Sequence, residues 1–251
     1  MTRRGLLAVE VICPVLAVVA IAIATSVSDS YYFPSLVGVV QSFVETWLGE
    51  RFVSDLLPSL QRMAIAYVLC VVLGVGIGVV LARTPRLMTA VEPVLEFLRA
   101  LPGPALIPFG ILLLGIGDSM KIFIIVLGAI WPILMNTVDG VRGVDQSLLH
   151  MAKVYKLPRR AVFTKIILRA ASPRILAGMR TALSLTIILM VVSEMVGSTN
   201  GVGFSVLQAQ RSFAVAEMWS GILLLGLIGY LANLAFLSFE KRALFWARQS
   251  K

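Results

Sequence analysis

The feature that most constrains this chain is a polar, strongly basic stretch from Asp139 to Arg174. It lies between two apolar runs, each long enough to cross a membrane. It carries Arg142, Lys153, Lys156, Arg159, Arg160, Lys165, Arg169 and Arg174 against only Asp139 and Asp145. Multi-pass membrane proteins keep such short Lys- and Arg-rich loops in the cytoplasm, so the stretch sets the orientation of the whole chain. It is also patterned. Leu148, Met151, Ala152 and Tyr155 recur at helical spacing and predict one apolar face. Leu157-Pro158 breaks the run, because the residue before proline is pushed out of helical geometry. A second amphipathic segment follows, with Val162, Phe163, Ile166, Ile167 and Ala170 set among basic residues. Helix, break and helix on a cytoplasmic loop predict a docking element.

Apolar residues make up 59% of the chain and charged residues 14%, which excludes an ordinary soluble domain. The net charge of +9 does not require nucleic acid, because the basic residues flank apolar spans rather than interleave with aromatics. Cys13 and Cys70 both fall in apolar runs and read as packing residues, with no disulfide or metal site. The expected fold is an all-α integral membrane protein of six transmembrane helices, one domain over residues 1–251, with the 139–174 loop between helices 4 and 5.

Thr2, Arg3 and Arg4 precede an apolar run from Leu6 to Ala24, read as a retained first helix within residues 1–30 and an amino terminus in the cytoplasm. Residues 31–60 form an external segment, with Val37, Val40, Phe43, Val44 and Trp47 on one face and Trp47 as an interfacial anchor. A five-helix core fills residues 61–251. Its crossings are expected at Met63–Ala82, Val94–Ile116, Ile122–Val138, Ile175–Val196 and Trp219–Phe239. Gly74, Gly76 and Gly78 would let the first of these approach a neighbour closely. Sixteen Lys and Arg then lie inside, leaving uncounted Arg180 and Arg99, the latter expected near the cytoplasmic end of the Val94–Ile116 run, and Arg51, Arg62, Lys121 and Arg211 lie at or near the outside. Both termini are cytoplasmic on this count.

The Val94–Ile116 run holds Pro102, Pro104 and Pro108. A broken helix at membrane depth needs protein or a cavity to satisfy its freed carbonyls, so the segment either lines a path or is a kinked packing helix. Glu194, an acid in a membrane helix, is either a functional group on that path or is capped at the outer end by water or the glycine-rich loop after it. Arg62 and Arg180 read as interfacial or inter-helix partners. With one histidine, His150, no His-based metal cluster or catalytic Ser–His pair can form, and no cofactor is expected. No phosphate-cradling Walker loop is present, so nucleotide energy would have to come from another chain.

The central loop resembles the cytoplasmic motif of permeases in ATP-binding-cassette importers, E-A-A-x3-G-x9-I-x-L-P. His150, Met151 and Ala152 stand at the first three positions, Lys156 at the glycine, and Ile166, Leu168 and Arg169 at the last. Only Ala152, Ile166 and Leu168 match. The flanks carry more of the likeness: Phe33-Pro34-Ser35, Ser59-Leu60-Gln61-Arg62, Gly115-Ile116-Gly117 with Lys121, and Pro132-Ile133-Leu134 with Asn136. Gly140-Val141-Arg142, Ile175-Leu176-Ala177-Gly178-Met179-Arg180, Ser193-Glu194-Met195 and Gly201-Val202-Gly203-Phe204 continue it. These are similar to the branch serving sulfonates, taurine and nitrate, from about residue 31 to the carboxyl terminus. The resemblance implies a bacterial inner-membrane permease with three kinds of protein partner: cytoplasmic ATPase subunits, a second permease and an extracytoplasmic binding protein. It further implies that the loop seats in the ATPase through Leu148, His150, Met151, Ala152, Tyr155 and Lys156.

The eroded motif favours a second permease chain that differs from this one. A stand-alone secondary transporter or channel is the competing class, and it predicts ionisable residues near the midplane. An intramembrane enzyme fails for want of a catalytic constellation. The purified chain alone is expected to show no stoichiometric ATP binding in equilibrium dialysis and no hydrolysis, for want of a phosphate loop.

Overall fold

The computed structural model describes residues 31–248, together with Ile12, Leu16, Ala20, Ala22, Ile23 and Thr25. The expected first helix, with Thr2, Arg3, Arg4, Glu10 and Cys13, otherwise lies outside the described residues. No strand occurs among the described residues. The helices are α1 (Leu36–Trp47), α2 (Leu57–Arg83), α3 (Pro85–Ala100), α4 (Ile107–Leu114), α5 (Asp118–Arg142) and α6 (Gln146–Val154). The short α7 (Arg159–Ala161), α8 (Leu168–Gly197), α9 (Val202–Arg211) and α10 (Val215–Ala243) complete the order. Wide π-helical turns at Phe52–Leu56 and Val162–Ile167 lead into α2 and α8.

Four continuous helical stretches are long and apolar enough to span a membrane: Phe52–Arg83, Asp118–Arg142, Arg159–Gly197 and Val215–Ala243. The expected Val94–Ile116 crossing is not one helix. It is α3, starting earlier at Pro85, and a short helical segment Gly103–Leu114, bent by 93° from one another. The cause is local. Leu101 precedes Pro102 and is extended at ψ 125°, Pro102 follows at ψ 122°, and Pro104 has no N–H to give. The described residues thus hold four straight spans and one broken one. The stretch between the last two long spans holds the shorter helix α9.

The core is α5 wedged between α2 and α8. Ile125, Ala129, Ile130 and Ile133 of α5 pack with Ala66 and Cys70 of α2 and Ala182, Leu189 and Met190 of α8. Nearer the basic loop, Leu134, Val138 and Val141 meet Leu81, Ala82, Ala171 and Ile175. Small residues make this approach possible. A Cβ at Gly78 would stand 2.7 Å from Thr137 Cβ, and one at Gly74 2.9 Å from Ile133 Cγ2. Gly76, one of the expected contact glycines, faces open space instead. Gly178 lets α8 onto α5: an added Cβ would lie 2.6 Å from the Pro132 carbonyl oxygen and 2.8 Å from Asn136 Cβ. The opposite faces carry exposed apolar side chains such as Val72, Leu112, Leu227 and Leu231, as a lipid boundary demands.

Two expectations for residues 31–60 change. Trp47 is no interfacial anchor; it is 2% exposed and its indole N–H donates to Ser220 Oγ at 3.1 Å. The buried face of α1 runs through Val39, Phe43 and Trp47 onto α10, leaving Val37, Val40 and Val44 exposed. The Tyr31 hydroxyl donates to the Phe213 carbonyl at 2.7 Å, and the Trp219 indole donates to the Tyr32 carbonyl at 3.0 Å, which tie the start of the described chain to α10 and the turn before it.

The glycine contacts make a direct test. Gly178→Val is expected to lower stability by roughly 1–3 kcal/mol through overpacking against backbone. Gly76→Ala is expected to be neutral or to stabilise by up to about 1 kcal/mol. Thermal denaturation of both variants in one detergent reads the contrast.

Candidate functional sites

Three places gather polar chemistry: the outer ends of the helices, a cleft at mid-depth, and the loop around α6.

At the outer ends, Arg62 and Glu194 form an ion pair of 2.7 Å with side chains 4% and 0% exposed. A guanidinium so buried must spend its donors, and it does. Its Nε donates to Asp118 at 2.7 Å, and its Nη2 to the Asn200 side-chain oxygen at 2.6 Å. Lys121, itself 3% exposed, reaches the same Asp118 oxygen at 3.5 Å. The glycine-rich loop closes the other side. Gly201, at φ +117°, sits where a Cβ would be 2.5 Å from the Glu194 carboxyl carbon, so only glycine fits. The first N–H groups of a helix have no partner inside it. Here Gly201 N–H donates to Asp55 at 2.7 Å, Val202 N–H to Ser59 Oγ at 2.9 Å, and Gly203 N–H to Glu194 Oε2 at 3.0 Å. Ser59 Oγ also lies 2.7 Å from Glu194 Oε1. Three side chains from the Phe52–Leu56 turn, α2 and α8 thereby cap α9. Carboxylates at that end also suit the helix dipole. Glu194 is fully enclosed by this network. Asp55, Ser59, Asp118 and Asn200 were not singled out from sequence; the signal was the polar run Ser59–Arg62 at the head of an apolar span.

At mid-depth, a cleft of about 700 Å³ is lined by Glu96, Arg99, Gly128, Trp131, Met135 and Leu185, among others. Gly128 lies ten residues into α5, about 15 Å along a helix some 37 Å long. The α3–α4 break is at the same height, since a Cβ on Gly103 would be 3.8 Å from Gly128 Cα. Arg99 is therefore not at the cytoplasmic end of its segment. Pro102, Pro104 and Pro108 are exposed at or just past the break, and Ala100 beside them lines the cleft.

Around α6, Asp145 caps the helix by accepting Ser147 N–H at 2.8 Å, which holds its carboxyl below the usual carboxylate range. That cap is in place at neutral pH and lost as pH falls through the lowered value. Leu148, Met151 and Tyr155 are exposed together with Val154, which the spacing had not flagged. His150 is exposed as well. Ala152 does not join that face: it is 3% exposed and turned inward with Leu149 over a cavity of about 520 Å³, whose rim includes Arg83, Lys153, Lys156 and Arg159. Lys156 adopts φ +50°, the left-handed geometry that glycine provides at its position in the motif. Leu157 N–H donates to the Ala152 carbonyl and Lys156 N–H to the Lys153 carbonyl, both at 3.0 Å, which is a Schellman helix stop. The loop is held to the bundle by Arg83 stacked 5.0 Å over the Phe163 ring and by Arg174 Nη1 donating to the Asp139 carbonyl at 3.0 Å.

A bundle of apolar helices with one broken span, a polar lock at one end and a capped helix–stop–helix loop at the other is the architecture of a transporter membrane subunit. The chain belongs to the family of binding-protein-dependent transport system inner membrane components, whose model matches residues 74–243. It is a multi-pass inner-membrane permease of an ATP-binding-cassette importer. It is 32% identical over 243 residues to a protein of Bacillus subtilis named as an aliphatic sulfonates transport permease, covering 97% of this chain and 87% of that one. It is 33% identical over 175 residues to a nitrate import permease of Leptolyngbya laminosa, covering 70% and 63%. It is 29% identical over 206 residues to the taurine transport permease of Escherichia coli, covering 82% and 74%. The fold matches the inward-facing MetNI methionine ABC transporter at a TM-score of 0.64 and 20% identity, over 75% of this chain and 94% of that one.

The outer lock carries its own test. Removing one member of a buried pair strands a charge, so Arg62→Met is expected to cost roughly 3–5 kcal/mol. The double variant with Glu194→Met should recover much of that loss. Melting temperatures of the single and double variants measure the coupling; additive losses would refute it.

Proposed function

We propose that this chain forms half of the path for a small oxyanion-bearing solute and is driven by cytoplasmic ATPase subunits seated on α6. The carrying observation is the exposed apolar face of Leu148, Met151, Val154 and Tyr155 on a polar, basic loop, where such groups need a partner. His150 and Lys156 border that face. The Schellman stop at Lys156 keeps α6 short and fixes its angle, which suits an element that transmits displacement rather than absorbs it. The relatives named for sulfonates, nitrate and taurine support a solute with an anionic head, delivered by an extracytoplasmic binding protein. Both termini and α6 lie in the cytoplasm on the charge count, and hydrolysis of ATP belongs to the partner subunit.

The second permease is a different chain. Lys156 in a left-handed conformation costs about 1 kcal/mol against glycine, and the acidic and proline positions of the motif are His150 and Arg169. A pair in which one half keeps the better motif tolerates that erosion. Purification through a tag on this chain is expected to recover one further permease and the ATPase. Met151→Asp should lose the ATPase and keep the permease partner. Two copies of this chain with no other permease would end the asymmetric reading, and full ATPase recovery with Met151→Asp would end the docking one.

A further inference from the structure

Glu96 and Arg99 are the two charged groups on the mid-depth cleft, and they face each other there across one helical turn of α3. Ionisable side chains at that depth are costly and mark a pathway or a ligand. The pair is loosely made. Its single contact is 3.4 Å, and the two side chains are 48% and 61% exposed, so the guanidinium retains most of its five donors. The outer lock is the opposite case, with short bonds and no exposure at Glu194. A pair built for stability would resemble that lock.

The wall opposite offers matching chemistry. Pro132 has no N–H for the Gly128 carbonyl four residues earlier, so that carbonyl keeps acceptor capacity at the cleft. Trp131 adds an indole N–H donor and an aromatic face able to hold a cation. Met135 and Leu185 give the rest an apolar character. The cleft therefore presents a planar donor fork and a carboxylate on one wall and a spare carbonyl on the other. A simple anion would use the fork alone and meet Glu96 as a repulsive neighbour. A molecule carrying both charges uses both.

We infer that the cleft is a transit site for a small zwitterion, whose oxyanion is taken by Arg99 and whose ammonium is taken by Glu96 and the Gly128 carbonyl. The inference rests on the permease reading above. In the empty protein Glu96 and Arg99 neutralise each other. The arriving zwitterion exchanges that contact for two, and its departure restores the pair, so binding stays weak enough for passage.

The test uses the complete transporter with its binding protein in proteoliposomes, with ATP on the ATPase side. Uptake is measured for two matched pairs: taurine against ethanesulfonate, and β-alanine against 3-hydroxypropionate. ATP-driven uptake is expected for at least one zwitterion, at tenfold or more over its ammonium-free counterpart. Glu96→Gln should cut that preference at least tenfold, and Glu96→Asp should retain it. Arg99→Gln should depress uptake of every compound. Uptake of the simple anions without the zwitterions, uptake of neither, or an unchanged preference in Glu96→Gln overturns the zwitterion site and leaves the permease reading standing. Uptake that proceeds without ATP overturns the permease reading itself.

Discussion

The engagement of the buried Glu194 carboxylate by Arg62 and Ser59 is the constraint from which this end of the bundle follows. Glu194 sits on α8, Arg62 and Ser59 on α2, Asp118 at the start of α5, and the Asn200–Gly203 loop at the start of α9. In a membrane there is little hydrophobic drive between helices, because lipid tails solvate apolar side chains as well as a neighbour does. Helix ends are then positioned by polar contacts and close packing. Here one buried carboxylate, with Arg62, ties these four elements together and helps to cap α9, whose N-cap Gly201 has no side chain to do so.

Below that lock, steric fit takes over. The approach of α2 and α8 to α5 depends on glycines at Gly74, Gly78 and Gly178, and each meets a particular side chain or carbonyl of α5. With α2 and α8 fixed against α5, the α3–α4 segment is left outside the tight core. Its prolines prevent it from crossing as a straight rod, and the resulting corner opens the mid-depth cleft. Tight packing on one side of α5 and a cavity on the other thus come from the same arrangement.

Much of this was legible in the sequence. The basic loop, the helix of α6 and its stop at Leu157-Pro158 followed from charge, period and proline. The spans of α5, α8 and α10 followed from hydropathy to within several residues. Side-chain facing was less legible. Ala152 sits in the α6 periodicity yet points inward, because the loop folds back on α2 through Arg83 and Phe163, a contact between residues eighty apart in sequence. The helix period of α1 placed Trp47 correctly among apolar neighbours, but its burial depended on Ser220 offering a partner for the indole. Arg62 and Ser59, which engage Glu194, lie more than 130 residues from it in sequence, so that contact needed geometry. Three stretches that carried the family resemblance, Ser59–Arg62, Ser193–Met195 and Gly201–Phe204, prove to be one cluster in space. The depth of Arg99 was misjudged because a straight helix was assumed through Pro102.

The helical stretch Arg159–Gly197 runs for 39 residues, about 58 Å of helix. It joins the α6 loop at one end to the Glu194 lock at the other, and so works as a lever with unequal compliance. Pro173 removes one backbone bond near the loop end, and the Ser172 hydroxyl replaces it by donating to the Arg169 carbonyl at 2.8 Å. The wide Val162–Ile167 turn lies on the same side. Both soft points are near the basic-loop end, while the stretch from Gly178 toward Glu194 is packed against α5. The long stretch is therefore most compliant between α6 and Pro173 and stiffest beside Glu194, so the angle of α6 can change by bending there without the α5 contacts of Gly178 being broken.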